Sequence, residues 1–240
     1  MIGQFFHVVI YEPLYNGLVG LVDIIPGHDM GLAVIALTII VRLILYPLSK
    51  RAVEAQLAMK ALAPEIEAIK KQHANDREAQ SKAIFALYKE RNIHPFAGLG
   101  MVLLQLPVLI GLYWVFSHGG LPEVDLSILY PFVHAPESVQ MDFLGLIPMS
   151  GHSIILAVTA ALSQFAYTRL SMGKPATVDP SPVESSLSAD LAKSFDTQAR
   201  YVLPVFIGVI SYTVAAAAPL YWTTSNLAMI VQEYLNGRRF

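Results

Sequence analysis

The 240-residue chain has no cysteine, and only 14% of its residues are charged. Without cysteine there is no disulfide, no thiolate metal ligand, no cysteine nucleophile and no lipidated cysteine anchor. The low charge accompanies an apolar content of 55% and a mean hydropathy of +0.52, against about 45 to 50% apolar residues in soluble domains. That is the composition of a polytopic membrane protein. Sequence signatures of catalysis are missing too: there is no P-loop, no dinucleotide fingerprint, no HExxH and no pair of intramembrane aspartates. No two of the seven histidines are spaced to share a helical face, so neither a metal site nor a cofactor is expected. No basic n-region opens the chain, so no cleavable signal peptide is expected in it.

Positive charge is absent from two long stretches. Residues 1–41 and 92–168 hold no Lys or Arg, whereas nine fall within residues 50–91. Five stretches approach the roughly 20 apolar residues that cross a bilayer: 31–49, 96–117, 152–170, 200–217 and 219–236. Residues 5–25 are apolar on average but carry Glu12, Pro13, Asn16 and Asp23. Because Leu14, Leu18, Leu21, Val22 and Ile25 share one face, residues 1–30 are expected to form an extracytoplasmic amphipathic helix lying in the interface. With five spans, the positive-inside rule puts the N-terminus outside and the C-terminus in the cytosol.

Between the spans, residues 50–95 read as a cytosolic helical hairpin, with apolar residues recurring at Leu57, Leu62, Ile66 and Ile69 and again at Ile84, Leu87 and Tyr88. The run NDRE at residues 75–78 supplies an N-cap with Glu three residues on, and Pro64 predicts a kink. Residues 118–151 form an outer loop, acidic through Glu123, Asp125, Glu137 and Asp142, and expected to be a short structured cap. Residues 171–199 are a cytosolic linker and 237–240 a short tail. The last two spans are nearly contiguous, so a tight antiparallel hairpin turning near Pro219 is expected, with small alanines allowing close backbone approach.

Arg42 lies within the first span, seven residues before Ser49. That is about 10 Å below the end of the span. A lipid-facing arginine at that depth costs about 2.5 to 3.5 kcal/mol or more, so such residues face a bundle interior or a wet cavity. Polar residues recur in the other spans, among them Gln105, Gln164, Ser211, Thr223 and Asn226, yet the only carboxylate there is Glu233, in the last turn. This points to a hydrated site that attracts anions. Two blander readings stay open: Arg42 snorkels to lipid phosphate, and the polar residues only join helices.

Three blocks, GLAVIALTIIVRLILYPLSKR, ALYKERNIHPFAGLGMVLLQLPVLIGLYWVF and PLYWTTSNLAMIVQEYL, resemble the YidC/Oxa/Alb membrane protein insertase family. The resemblance implies an all-α fold of five transmembrane helices around a hydrophilic groove, open to cytosol and bilayer and closed on the outer side. It also implies a groove arginine at Arg42, a third-span glutamine at Gln164, a fifth-span tryptophan at Trp222 and a mobile hairpin that helps receive substrate. The candidate groove set is therefore Arg42, Gln105, Gln164, Ser211, Trp222, Thr223 and Asn226. The chain departs from the family pattern in lacking a large periplasmic domain, a lipoprotein cysteine and a long basic tail, and in having His94 where asparagine is usual.

The expected function is that of an insertase and chaperone of the bacterial plasma membrane, working without nucleotide hydrolysis and not as an enzyme. Its partners would be nascent integral membrane proteins, with a secretory translocon and the ribosome as further candidates and no nucleic acid recognition of its own. A structural subunit acting only beside a translocon and an anion-binding transporter are the alternatives.

Overall fold

The computed structural model describes residues 2–74, 76–93, 97–119, 121–173 and 197–237. The expectations for Asn75, His94, residues 174–196 and the terminal Arg238 and Arg239 lie outside them. The chain opens with α1 (Ile2–Phe6), which a π-helical turn (His7–Tyr11) joins to α2 (Glu12–Ile24). There follow α3 (Met30–Ala61), α4 (Ala63–Gln72), α5 (Arg77–Glu90) and α6 (Ala97–His118). A small antiparallel pair, β1 (Asp142–Phe143) and β2 (Ile147–Pro148), precedes α7 (Ile154–Met172), α8 (Leu203–Thr213) and α9 (Ala217–Leu235). A π-helical turn, Gln198–Val202, leads into α8. Among the described residues the fold is thus helical, apart from a β-hairpin in the outer loop that hydropathy does not reveal.

Three described helices, Gly3–Ile24, Met30–Met59 and Ile154–Met172, are long and apolar enough to cross a membrane. The first is the segment expected to lie in the interface. Its predicted stripe is the packed face: Leu14, Leu18 and Val22 are buried, while Phe5, Val8, Val9 and Ile24 are exposed.

The chain forms two compact units, Met1–Arg42 with Leu109–Phe240, and Leu43–Val108. In the larger unit α7 is central and α8 and α9 each pack along it. Gly208 on α8 makes this approach possible, since a methyl there would come within 3.0 Å of the Ala161 methyl. The expected tight pairing of the last two spans does not form, because both helices use α7 and touch each other little. Their connection breaks at Val214 rather than Pro219, which sits inside α9. The alanines instead bind the outer loop: Ala216 N–H donates to Gly151 O (2.7 Å) and Ala217 N–H to Met149 O (3.1 Å).

Beside its apolar core the larger unit buries many polar residues and exposes many apolar ones. Thr38, Ser163, Gln164, Thr168, Ser211, Ser225, Asn226 and Gln232 are buried, whereas Ile39, Ile40, Ile155, Leu162, Val205, Val209 and Val231 are exposed. Apolar exteriors with polar groups between the helices are what a hydrocarbon surround selects.

Polar residues of α2 fasten the outer loop. Tyr15 OH donates to Gly119 O (3.1 Å) and accepts from Asp125 N–H (2.8 Å). Asn16 donates to Ile128 O (2.9 Å) and accepts from Tyr130 N–H (2.6 Å). The hydroxyl and then the backbone N–H of Ser127 hold the Asp125 carboxyl below the usual carboxylate range. Asn16, which argues against a crossing helix on polarity alone, is a buried tie between helix and loop.

In the smaller unit α3 continues without a break past Pro47 and Ser49 to Ala61. The chain bends at Leu62, placing Pro64 in the first turn of α4, where its missing N–H costs no helical bond. Asp76 caps α5: its carboxylate accepts from Glu78 N–H (3.1 Å) and Ala79 N–H (3.0 Å). With the cap one residue later than the spacing predicts, Glu78 falls too early to close a capping box. Arg91 pairs with Glu65 at 3.0 Å across the α4 and α5 hairpin.

Candidate functional site

Arg42 and the polar residues of α9 meet within the larger unit. Arg42 Nε donates to Ser225 Oγ at 2.8 Å, and Nη2 contacts the same oxygen. A hydroxyl can orient a guanidinium without cancelling its charge, so this contact preserves the positive potential there. Ser225 itself is fully buried.

Successive residues on a helix are about 100° apart, so Asn226 points elsewhere. Its Nδ2 donates to Ser163 Oγ on α7 (3.2 Å), and Ser163 in turn donates to Ala160 O (3.0 Å). Asn226 Oδ1 is buried and has no hydrogen-bond partner among the described residues. One turn away, Thr223 and Thr159 bring their hydroxyls to 3.4 Å. The two α9 residues 225 and 226 therefore tie one helix to α3 and to α7 at the same level.

Gln164 is buried on α7 and donates to Thr168 Oγ1 (3.1 Å), a local pair on one helix face. Ser211 on α8 is fully buried, and among the described residues its Oγ has no hydrogen-bond partner. Trp222 is half-buried on α9. Arg42, Gln164, Ser211, Trp222, Thr223 and Asn226 thus share the larger unit, while Gln105, half-buried on α6, belongs to the smaller one.

Two residues of this arrangement fall outside the candidate groove set. Ser225 and Ser163 are visible in the sequence as polar residues in apolar spans, but the run Thr223, Thr224, Ser225, Asn226 covers the whole helix circumference, so periodicity cannot choose among its members. Arg200 reads in the sequence as a charge flanking a span. It is buried, and its Nη1 donates to Gly173 O (2.7 Å) at the end of α7. A cation among the last carbonyls suits the negative end of that helix.

A family model, the 60Kd inner membrane protein, matches residues 21–240. The chain is 30% identical over 206 residues to the membrane protein insertase YidC of Neisseria gonorrhoeae (strain NCCP11945), covering 86% of this chain and 32% of the relative. It is 28% identical over 230 residues to the YidC insertase of Methylobacillus flagellatus, covering 96% and 36%. With that of Francisella tularensis subsp. novicida it shares 30% identity over 212 residues, covering 88% and 33%. The chain spans about a third of the length of these relatives. A match over nearly the whole chain, on helices that expose apolar residues and bury polar ones among their core, leads to one conclusion: the chain belongs to the 60Kd inner membrane protein family.

Proposed function

We propose that this protein inserts membrane proteins and assists their folding through a hydrated, positively charged groove. The observation that carries this reading is Arg42, half-buried on a helix apolar and long enough to cross a membrane, with its guanidinium on the Ser225 hydroxyl. The acidic, hydrophilic end of a nascent protein is drawn to the guanidinium. It thus crosses part of the bilayer in a polar setting, while the apolar helix of the nascent protein passes sideways into lipid. Burying that helix supplies about 0.8 kcal/mol per CH₂, and a membrane potential adds about 2.3 kcal/mol per 100 mV for each negative charge carried to the positive side. Neither nucleotide hydrolysis nor any covalent step is involved.

In this proposal Gln164, Ser211, Trp222, Thr223 and Asn226 line the groove with Arg42. Five helices span the bilayer, with the N-terminus outside, the residue 1–30 segment in the interface and the α4 and α5 hairpin in the cytosol, where it receives substrate. The partners are nascent integral membrane proteins, with a secretory translocon and the ribosome as upstream donors. Reconstitution of the purified chain in liposomes without nucleotide tests the autonomy of the reaction. Insertion of a short single-span substrate is expected, and its absence would contradict autonomous action.

A further inference from the structure

The β-hairpin of the outer loop is docked on the beginning of α3 and turns two leucines outward. Asp29 caps α3 through Oδ1, which accepts from Leu32 N–H (2.9 Å), and grips the hairpin through Oδ2, which accepts from Leu144 N–H (2.7 Å). Gln140 reinforces this junction, its N–H donating to His28 O (3.0 Å) and its carbonyl accepting from Met30 N–H (2.9 Å). The Phe143 ring lies where a side chain on Gly31 would be, so that a Cβ there would overlap the ring. Only glycine admits this contact. The hairpin is thus fixed to the first turn of a helix apolar and long enough to span a bilayer, which sets it at the level where that span leaves the hydrocarbon.

The turn itself carries an unusual choice of residue. Leu144 and Gly145 have φ of 51° and 70°, and Leu146 N–H donates to Phe143 O (3.0 Å). Two successive positive φ values are the pattern of a type I′ turn, in which Asn, Asp or Gly is favoured and a branched apolar side chain is strained. Leu144 is nevertheless 60% exposed and Leu146 81% exposed. Within the protein, Leu144 gains little packing to offset its backbone strain. Residues 1–41 and 92–168 contain no Lys or Arg, so attraction to anionic headgroups cannot be what holds this face to a membrane.

We propose that the hairpin tip is an interfacial anchor, inserting Leu144 and Leu146 into the acyl boundary of the outer leaflet by hydrophobic burial alone. The anchor rests on the reading of α3 as a membrane span. It ties the outer loop to the lipid beside that span.

The absence of cysteine makes the test direct. Single Leu146→Cys, Ile40→Cys and Glu137→Cys variants of the full chain carry a nitroxide in vesicles of phosphatidylcholine, without and with phosphatidylglycerol. Collisions with oxygen and with a water-soluble nickel chelate are then compared. Ile40 is exposed on α3 and Glu137 on the outer loop. The Leu146 label is expected to favour oxygen, as at Ile40, to a similar extent in both vesicles, while Glu137 favours the chelate. A Leu146 label that behaves like Glu137 while Ile40 still favours oxygen would overturn the anchor and leave a protein partner as the cover for these leucines. Preference for the chelate at Ile40 as well would overturn the span reading and the anchor with it.

Discussion

Arg42 on α3 reaches the hydroxyl of Ser225 on α9 with both Nε and Nη2, joining residues 183 positions apart. Ser225→Ala removes that oriented acceptor but keeps the charge. Its expected effect is a roughly threefold to tenfold slower insertion of acidic-tailed substrates, the equivalent of about 0.7 to 1.4 kcal/mol, with a larger loss for Arg42→Ala. Initial rates in reconstituted vesicles check this ranking.

The Asn226 and Ser163 pair joins α9 to α7. Interhelical hydrogen bonds inside membranes average about 0.6 kcal/mol and reach about 1.7. Ser163→Ala is expected to lower the melting temperature in detergent by roughly 2 to 4 °C. The double variant Ser163→Ala with Asn226→Ala should cost less than the sum of the two single changes, since one shared bond is counted once.

Gly31→Ala places a methyl into the Phe143 ring. Overpacking of that kind costs about 1 to 3 kcal/mol, here spent on detaching the outer hairpin from α3. Faster proteolysis within residues 118–151 is expected, and Phe143→Ala in the same chain should recover part of the protection.

Shortening the hairpin within residues 60–89 is expected to slow insertion while leaving the melting of the larger unit unchanged, because these residues belong to the smaller unit. Arg91→Ala alone should change stability by less than about 1 kcal/mol, as the Glu65 and Arg91 pair is exposed at the surface. An unchanged insertion rate in the shortened chain would show that the hairpin is dispensable.

Residues whose meaning depends on local pattern are legible in the sequence. The periodic runs around Ile66 and Leu87 lie in α4 and α5, and the stripe through Leu14, Leu18 and Val22 is the packed face of α2. Arg42 stands out because charge is costly within an apolar span. What depends on long-range partnership is not legible. Nothing local distinguishes Ser225 from Thr224 as the residue facing Arg42, and nothing reveals that Asn16 and Asp29 bind backbone more than a hundred residues away. Gly31 is unremarkable until Phe143 packs against it. The alanines at 216 and 217 suggest close pairing of α8 with α9, yet their smallness serves the contact with residues 149–151. The spacing to Glu78 points one residue before Asp76, the residue whose carboxylate caps α5.

The central claim is that Arg42 acts through its charge. Protease protection of an acidic-tailed single-span substrate in liposomes, compared between the natural chain and Arg42→Lys, Arg42→Ala and Arg42→Glu, measures it most directly. The account predicts that Lys retains most of the insertion, Ala loses much of it and Glu loses the most, with the loss shrinking when the tail carries no negative charge. Equal protection by all four chains would contradict an electrostatic role for this arginine.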